Sequence, residues 1–169
     1  MANTFKKLTA LLLIATTITG CGSGQTAATR TIKQVTDGVE AESAGIKLRN
    51  VLIVKTAGAE GVLVATVVNT SDDADSIVGI AIGGAMANFV AKSTELKKNK
   101  PIIFVGDSAN ADAAIPVLSS SAGERIGVTF TFAKAAPVTV DALVVNGDGI
   151  YQELVRSTTT IPVEATPAP

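Results

Sequence analysis

The chain has 169 residues, of which 47% are apolar and 17% charged, and its formal net charge at pH 7 is -1. It contains no His, no Trp and a single Cys. Catalysis by a Ser-His-Asp or Cys-His arrangement is therefore excluded, as are an internal disulfide and a multi-cysteine zinc or iron–sulfur site. The balanced charge offers no basic face for nucleic acid, so we expect no nucleic-acid partner.

The first 21 residues have the pattern of a bacterial export signal that ends in a lipid attachment site. Two lysines precede an apolar stretch over residues 8–18, which is shorter than the roughly 20 residues that cross a membrane. Residues 18–21 read ITGC, which resembles the lipobox at which diacylglycerol is attached to a Cys thiol. We expect residues 1–20 to be a cleaved signal peptide and Cys21 to be lipidated. The alternatives are an ordinary signal peptide beside a free thiol, or a one-span anchor.

Two segments poor in apolar side chains flank the central region. Residues 22–31 read GSGQTAATRT and cannot bury apolar surface, so we expect residues 21–43 to hold the lipidated Cys and a flexible tether. Residues 157–169 read STTTIPVEATPAP, a composition typical of disordered tails. Residues 44–156 then form one domain of ordinary size.

The central region is a series of strand patterns separated by polar or glycine-rich turns. The predicted strands are residues 46–55, 62–69, 76–82, 101–105, 125–133, 138–145 and 150–155. Residues 125–133 alternate most clearly, with Val128, Phe130 and Phe132 on one face. One short helix is predicted near residues 91–98. This pattern predicts an all-β fold, a single antiparallel β-sandwich.

The apolar run over residues 76–91 is a separate case, because its hydrophobicity is close to that of a membrane span. It is shorter than the roughly 20 residues that a span needs, and it contains three glycines. We therefore expect a buried strand followed by a glycine-rich loop.

Two stretches carry a resemblance to a known family. Residues 48–54 and 62–80 read LRNVLIV and VLVATVVNTSDDADSIVGI, and residues 121–145 read SAGERIGVTFTFAKAAPVTVDALVV. In order and spacing they resemble the periplasmic copper chaperones of the PCu(A)C type. The LRNV opening and the lipobox add a similarity to the LpqE-like lipoproteins of actinobacteria. The resemblance implies an immunoglobulin-like, cupredoxin-like β-sandwich.

The resemblance also implies a Cu(I) site built from Met and His in two loops, and this sequence lacks those ligands. Soft thioether and imidazole ligands suit Cu(I), whereas carboxylates do not. The chain has no His, and Met86 is its one Met besides residue 1. The resemblance places the loop that carries the family's second His and Met near residues 110–114 (NADAA), where Asn110 and Asp112 are oxygen donors. We expect no metal and no other cofactor, with Met86, Asn110 and Asp112 as weak metal candidates.

Two charged clusters allow more than one interpretation. The three acids of residues 72–75 (DDAD) could offer hard oxygens to Ca²⁺, but they lack EF-hand spacing and suit a solvated turn better. The three lysines of residues 97–100 (KKNK) could contact anionic lipid headgroups. Three is fewer than the about four to eight basic residues typical of such clusters, so a solvated loop is favoured.

These observations favour a binding protein over an enzyme. We expect a lipid-anchored protein on the extracytoplasmic face of the cell membrane that binds, or helps to assemble, an unknown envelope component. Its end loops would be residues 70–75, 84–100 and 106–124. The first alternative is copper-chaperone-like metal handling through a non-standard or lost site. The second is a hydrolase that uses carboxylates or a lone Ser, which predicts a deep cleft with a carboxylate of raised pKa.

Overall fold

The computed structural model describes residues 37–156. The predicted signal peptide, the lipidation site Cys21 and the tail over residues 157–169 lie outside the described residues. None of the helical turns within residues 37–156 has the length and apolar character needed to traverse a bilayer.

Strands dominate the described chain, and they are followed by a short helical segment. The strands are β1 (Val39–Ser43), β2 (Ile46–Lys55), β3 (Gly61–Asn69), β4 (Asp75–Ile82), β5 (Ala85–Met86), β6 (Asn88–Ala91), β7 (Glu95–Leu96), β8 (Ile102–Ile103), β9 (Ala111–Ile115), β10 (Arg125–Phe132) and β11 (Val138–Asn146). A 3₁₀-helix (Gly149–Tyr151) and the helix α1 (Gln152–Arg156) come after β11.

The strands form one mixed sheet that curls into a nearly closed barrel. Hydrogen-bonded neighbours follow the order β5-β4-β10-β11-β2-β3-β9-β6, with β1 against β2, β7 against β4 and β8 against β3. β5 and β6 are adjacent in sequence but lie at the two ends of this order, so residues 85–91 join both edges. Such closure leaves few unpaired strand edges. The β-sandwich class is confirmed, although one of the described pairs, β11 with β2, is parallel.

The main core lies inside the curl and is built from the inward face of each strand. Val128, Phe130 and Phe132 of β10 are all buried, as their alternation predicts. Phe104 is 1% exposed, and its ring centroid lies 5.9 Å from that of Phe89 and 6.5 Å from that of Phe130. Aromatic pairs at these separations add to the stability that burial provides. Phe104 therefore joins the segment after β8 to strands on two sides of the core.

A smaller apolar cluster lies on the outer face of the sheet. It contains Leu52, Val54 and Val64, and Tyr151 and Leu154 pack against it. β2 is buried on both faces here, which explains its uninterrupted apolar run. Side chains three residues apart share one face of a helix, so a helical segment can present Tyr151 and Leu154 together.

Several secondary-structure predictions are wrong. The expected end loops 84–100 and 106–124 contain strands, β5 to β7 in the first and β9 in the second. Residues 150–155 form the 3₁₀-helix and part of α1 rather than a strand, and Tyr151 and Leu154 pack against the outer cluster. Residues 91–98 are not a helix, because Glu95 and Leu96 pair with the start of β4 instead. Tertiary pairing overrides the local helix propensity of this segment.

The folded domain also begins earlier than predicted. β1 lies inside the segment 21–43 that was expected to be a tether, since Val39 and Ala41 pack against the main core. By contrast, β2 has the predicted bounds. The apolar run 76–91 begins with the predicted buried strand and a turn at Gly83 and Gly84, both with positive φ. The expected loop after it is wrong, because β5 and β6 follow the turn.

Candidate functional site

Asn69 fixes the loop between β3 and β4. Its side chain is buried, and its Nδ2 donates to the carbonyl oxygens of Asp73 at 2.7 Å and Leu96 at 2.8 Å. Its Oδ1 accepts from the N–H of Ser71 at 2.8 Å. Buried amides are retained where their hydrogen bonds are made, so Asn69 is an anchor that joins this loop to β7.

The Asp75 carboxylate holds the same loop against the loop between β10 and β11. Its Oδ1 accepts from the N–H groups of Ser76 at 2.7 Å and Lys134 at 2.9 Å, and its Oδ2 accepts from Ala135 at 2.8 Å. Burial alone would raise the pKa of Asp75. The backbone donors, with that of Ala133, outweigh burial and hold the pKa below its ordinary value.

The acids of residues 72–75 therefore act as turn residues, as the preferred interpretation predicts. Asp75 accepts three backbone hydrogen bonds, and Asp72 accepts from Lys98 Nζ at 2.6 Å. Both carboxylates are engaged with protein donors. A surface ion pair such as Lys98–Asp72 contributes little stability, but it positions the lysine.

An open cleft of about 430 Å³ lies between the β1–β2 turn, the β3–β4 loop and the β10–β11 loop. Asp73, Asp75 and Lys134 contribute its charged groups, and Ile46 lines its apolar part. Lys134 Nζ donates to the carbonyl oxygen of Ala74 at 2.6 Å, so its charge is held at the wall. We call this the acidic cleft. Its frame is formed in advance by the bonds of Asn69 and Asp75, as is usual in ligand sites.

A second cleft, of about 360 Å³, adjoins β7 and the segment that follows it. Three lysines line it, Lys92, Lys97 and Lys100, and Pro101 and Ile102 contribute apolar surface. We call it the lysine cleft. Lys92 lies beyond the end of β6, outside the run of residues 97–100. No local sequence pattern marks it as a member of the cluster, which is why sequence reasoning missed it.

The three weak metal candidates have different surroundings. Met86 lies in β5 and is 69% exposed, beside Gly79 of β4. The Asn110 amide is engaged, since its Oδ1 accepts from the N–H of Ile103 at 2.8 Å and its Nδ2 donates to the carbonyl oxygen of Pro101 at 3.0 Å. Asn110 therefore closes a loop.

Asp112 lies in β9, opposite Val90 of β6. Its Oδ1 is buried and has no hydrogen-bond partner among residues 37–156. Burial raises the pKa of Asp112; a backbone hydrogen bond from Ala113 opposes this, and the charge of Glu60 adds to it. Glu60 is exposed.

A Cu(I) centre does not fit this donor set. The described residues offer one thioether, Met86, and the whole sequence has no imidazole. Amide and carboxylate oxygens such as those of Asn110 and Asp112 suit harder cations. Within residues 37–156, no group of three or more Asp and Glu side chains gathers in a metal-binding arrangement.

Comparison with known proteins bears on the fold. No protein-family model and no curated protein sequence matches the chain. Solved structures do match: a copper-bound PCuAC domain from PmoF2 has a TM-score of 0.53 and 19% identity, and the match covers 64% of this chain and 98% of that domain. An apo PCuAC domain from PmoF1 has a TM-score of 0.54 and 19% identity, with 64% and 99% covered. An apo PmoF2 PCuAC domain has a TM-score of 0.53 and 18% identity, with 66% and 98% covered.

These matches confirm the part of the resemblance that concerns the fold. The described domain is a β-sandwich like that of PCuAC copper-chaperone domains. Because the sequence identities are below 20%, these matches support a shared fold only. Function depends on the residues of the site rather than on the fold. The similarity to LpqE-like lipoproteins remains a prediction. The chain thus combines a PCuAC-like sandwich with a donor set unsuited to Cu(I).

Proposed function

We propose that the protein is a non-catalytic binding module of the cell envelope, anchored by a lipid on Cys21 at the extracytoplasmic face of the membrane. The observation that supports it most is the acidic cleft. Loops at the end of a rigid sheet are common binding sites, and the bonds of Asn69 and Asp75 hold these loops in place. The buried carboxylate of Asp75 in the cleft wall accepts three backbone hydrogen bonds, so we assign it a role in shaping the cleft.

The anchor is inferred from the lipobox at residues 18–21. A lipobox supplies at least two acyl chains on one Cys, and two chains hold a protein on a membrane where one does so only marginally. The chain between Cys21 and Asp37, if fully extended, would reach roughly 55 Å. That reach allows the domain to lie on the bilayer or to stand clear of it.

Fractionation of cells that express the full chain tests the anchor. The wild-type protein should sediment with membranes, and Cys21→Ala should be released, because the substitution removes the thiol that accepts the lipid. Ser23→Ala, two residues away, is the matched control and should remain with the membranes. A Cys21→Ala protein that stays membrane-bound would instead indicate an uncleaved signal anchor.

Site-specific photocrosslinking in intact envelopes tests the binding role. A crosslinker at Ser71, in the wall of the acidic cleft, should give a discrete adduct with an envelope component. A crosslinker at Thr139, on the exposed face of β11, is the matched control and should give none. Identical adduct patterns from the two positions, or no adduct from either, would contradict the proposal.

Copper handling is the second candidate, and the fold shared with PCuAC domains favours it. It would require ligands beyond those of the described residues, because Met86 is a lone soft donor among them. Competition with a Cu(I) chelator tests it on the full chain. We expect no competition. Tight Cu(I) binding that is lost in Met86→Leu would favour copper handling over the envelope-binding role.

A further inference from the structure

The lysine cleft gathers positive charge on a domain that has more acidic than basic side chains. Lys92 follows β6, whereas Lys97 and Lys100 follow β7, and the three meet around one opening. Lys97 is paired at 3.1 Å with Glu95, which also lines the cleft. Neither Lys92 nor Lys100 has an acidic partner within 4.0 Å among the described residues. The cleft therefore presents two unneutralised ammonium groups to an incoming anion.

The remaining walls of the cleft are fixed and partly apolar. Pro101 and Ile102 line it, and the Asn110 side chain in the same wall is bonded to the backbone on either side of Ile102. Lys98 is the remaining lysine of residues 97–100, and its Nζ is paired with Asp72 Oδ1 at 2.6 Å. The cleft therefore combines flexible lysine ammonium groups with a rigid, partly apolar wall. This combination suits a ligand that has both a phosphate group and an apolar part.

We propose that the lysine cleft binds the phosphate of anionic phospholipids and so docks this part of the domain on the membrane that holds its own lipid anchor. The inference rests on the anchoring under the proposed function. Three lysines line the cleft, and Lys98, paired with Asp72, is adjacent in sequence. Clusters that recognise anionic lipid typically have about four to eight basic residues, so binding by the cleft alone should be weak. A tether of roughly 55 Å at most keeps the cleft at a high effective concentration of lipid, so weak binding is sufficient.

Lysine labelling on vesicles tests the inference with the complete, lipid-anchored protein. The protein would be extracted in detergent from membranes and reconstituted into two kinds of vesicle, phosphatidylcholine alone and phosphatidylcholine with phosphatidylglycerol. A water-soluble acetylating reagent then modifies accessible lysines, and mass spectrometry quantifies each site. Lys47 of β2 and Lys134, which lie outside the lysine cleft, are internal controls in the same molecule.

We expect labelling of Lys92 and Lys100 to fall by about threefold or more on the anionic vesicles, with Lys47 and Lys134 unchanged. High salt should abolish the protection, because screening weakens attraction between exposed charges. Lys100→Gln should reduce the protection of Lys92, whereas Lys47→Gln, which removes the same charge elsewhere, should not. Equal labelling of Lys92 on both kinds of vesicle would overturn the inference.

Two further arms separate the alternatives. Inorganic phosphate added to neutral vesicles should not reproduce the protection at millimolar concentration; if it does, the cleft binds a free anion and membrane docking is overturned. A protein that is recovered unanchored contradicts the proposed function instead. In that case, sedimentation of the same full chain with the two vesicle types tests the cleft separately. Binding to anionic vesicles that is weakened by Lys100→Gln supports it, and its absence overturns it.

Discussion

Gly38 packs against the backbone of Asn50 so closely that a Cβ on Gly38 would lie within 2.6 Å of the Asn50 Cα. Asn50 has a φ of 52°, in the left-handed region that Asn tolerates better than most residues. The register of β2 shifts at this point. Along one edge of β2, residues up to Val51 pair with β1, and residues from Leu52 pair with β11. The contact thus marks a bulge that redirects the strand.

Replacing Gly38 by Ala should destabilise the domain, because the added methyl group meets backbone that cannot move without disturbing β2. Overpacking of this kind typically costs about 1–3 kcal/mol, and we expect a loss of that size in the free energy of unfolding by urea. Gly58→Ala is the matched control, since the nearest atom to a Cβ there is Thr56 Oγ1 at 3.7 Å. Equal stability of the two variants would contradict the close approach.

Replacing Asp75 by Ala should leave three backbone N–H groups without their acceptor. An unsatisfied buried donor costs about 1–3 kcal/mol, so the variant should be strongly destabilised in urea unfolding at pH 7. Asp73→Ala, two residues earlier and exposed, should change the free energy little. If both variants unfold alike, Asp75 does not hold the loops together.

Asp75 also predicts a pH dependence of stability. Its folded-state pKa is lowered from 3.8, so its stabilising contribution is present above that value and is lost as the pH falls through the folded-state pKa. The difference in melting temperature between wild type and Asp75→Asn should therefore be largest at neutral pH and shrink below pH 3.8. A constant difference across the acid range would exclude an ionised Asp75 as the cause.

Replacing Asp112 by Asn should have the opposite effect. The folded-state pKa of Asp112 is raised from 3.8, so the wild-type protein loses stability as the pH rises from that value through the folded-state pKa. The side-chain amide of the variant cannot ionise, so Asp112→Asn should melt at a higher temperature than wild type at pH 7. Asp107→Asn, at an exposed site, should melt like wild type throughout. A lower melting temperature for Asp112→Asn at pH 7 would contradict this account.

The Tyr151 hydroxyl donates a hydrogen bond to the Asp37 carboxylate, which joins the segment before β1 to the C-terminal helical segment. This bond, then burial and the charge of Asp37, raise the pKa of Tyr151 from 10.0. Tyr151→Phe should cost about 1 kcal/mol in urea unfolding at neutral pH. Because the folded-state pKa is raised, this difference should fall once the pH passes 10.0. Leu154→Ala removes packing alone and should show no such change above that pH.

Local alternation was sufficient to locate several strands. Residues 125–132 alternate between apolar and polar side chains, and that property of the chain itself predicts which face is buried. β9 reads ADAAI, which has weak strand propensity. It becomes a strand because β6 and β3 offer it hydrogen-bonding partners. A partner far away in sequence leaves no local pattern.

The candidate site divides in the same way. The absence of His and the single Met beyond residue 1 are matters of composition, and they exclude the donor set of a Met and His copper site without any structure. The role of Asp75 as an acceptor for residues 134 and 135 could not be predicted, because its donors lie about 60 residues later in the chain. The position of Lys92 in the lysine cleft could not be predicted either, because its place in the cleft depends on tertiary contacts.

The sequence by itself determined the all-β class, the inward faces of the principal strands and the kinds of chemistry that the domain lacks. These depend on side-chain type and on spacing within a few residues, which the chain carries before it folds. The tertiary structure alone decided the closure through β5 and β6, the parallel pair of β2 and β11, the helical end and the two clefts. Those features arise from contacts between distant segments, which form only when apolar faces are buried together.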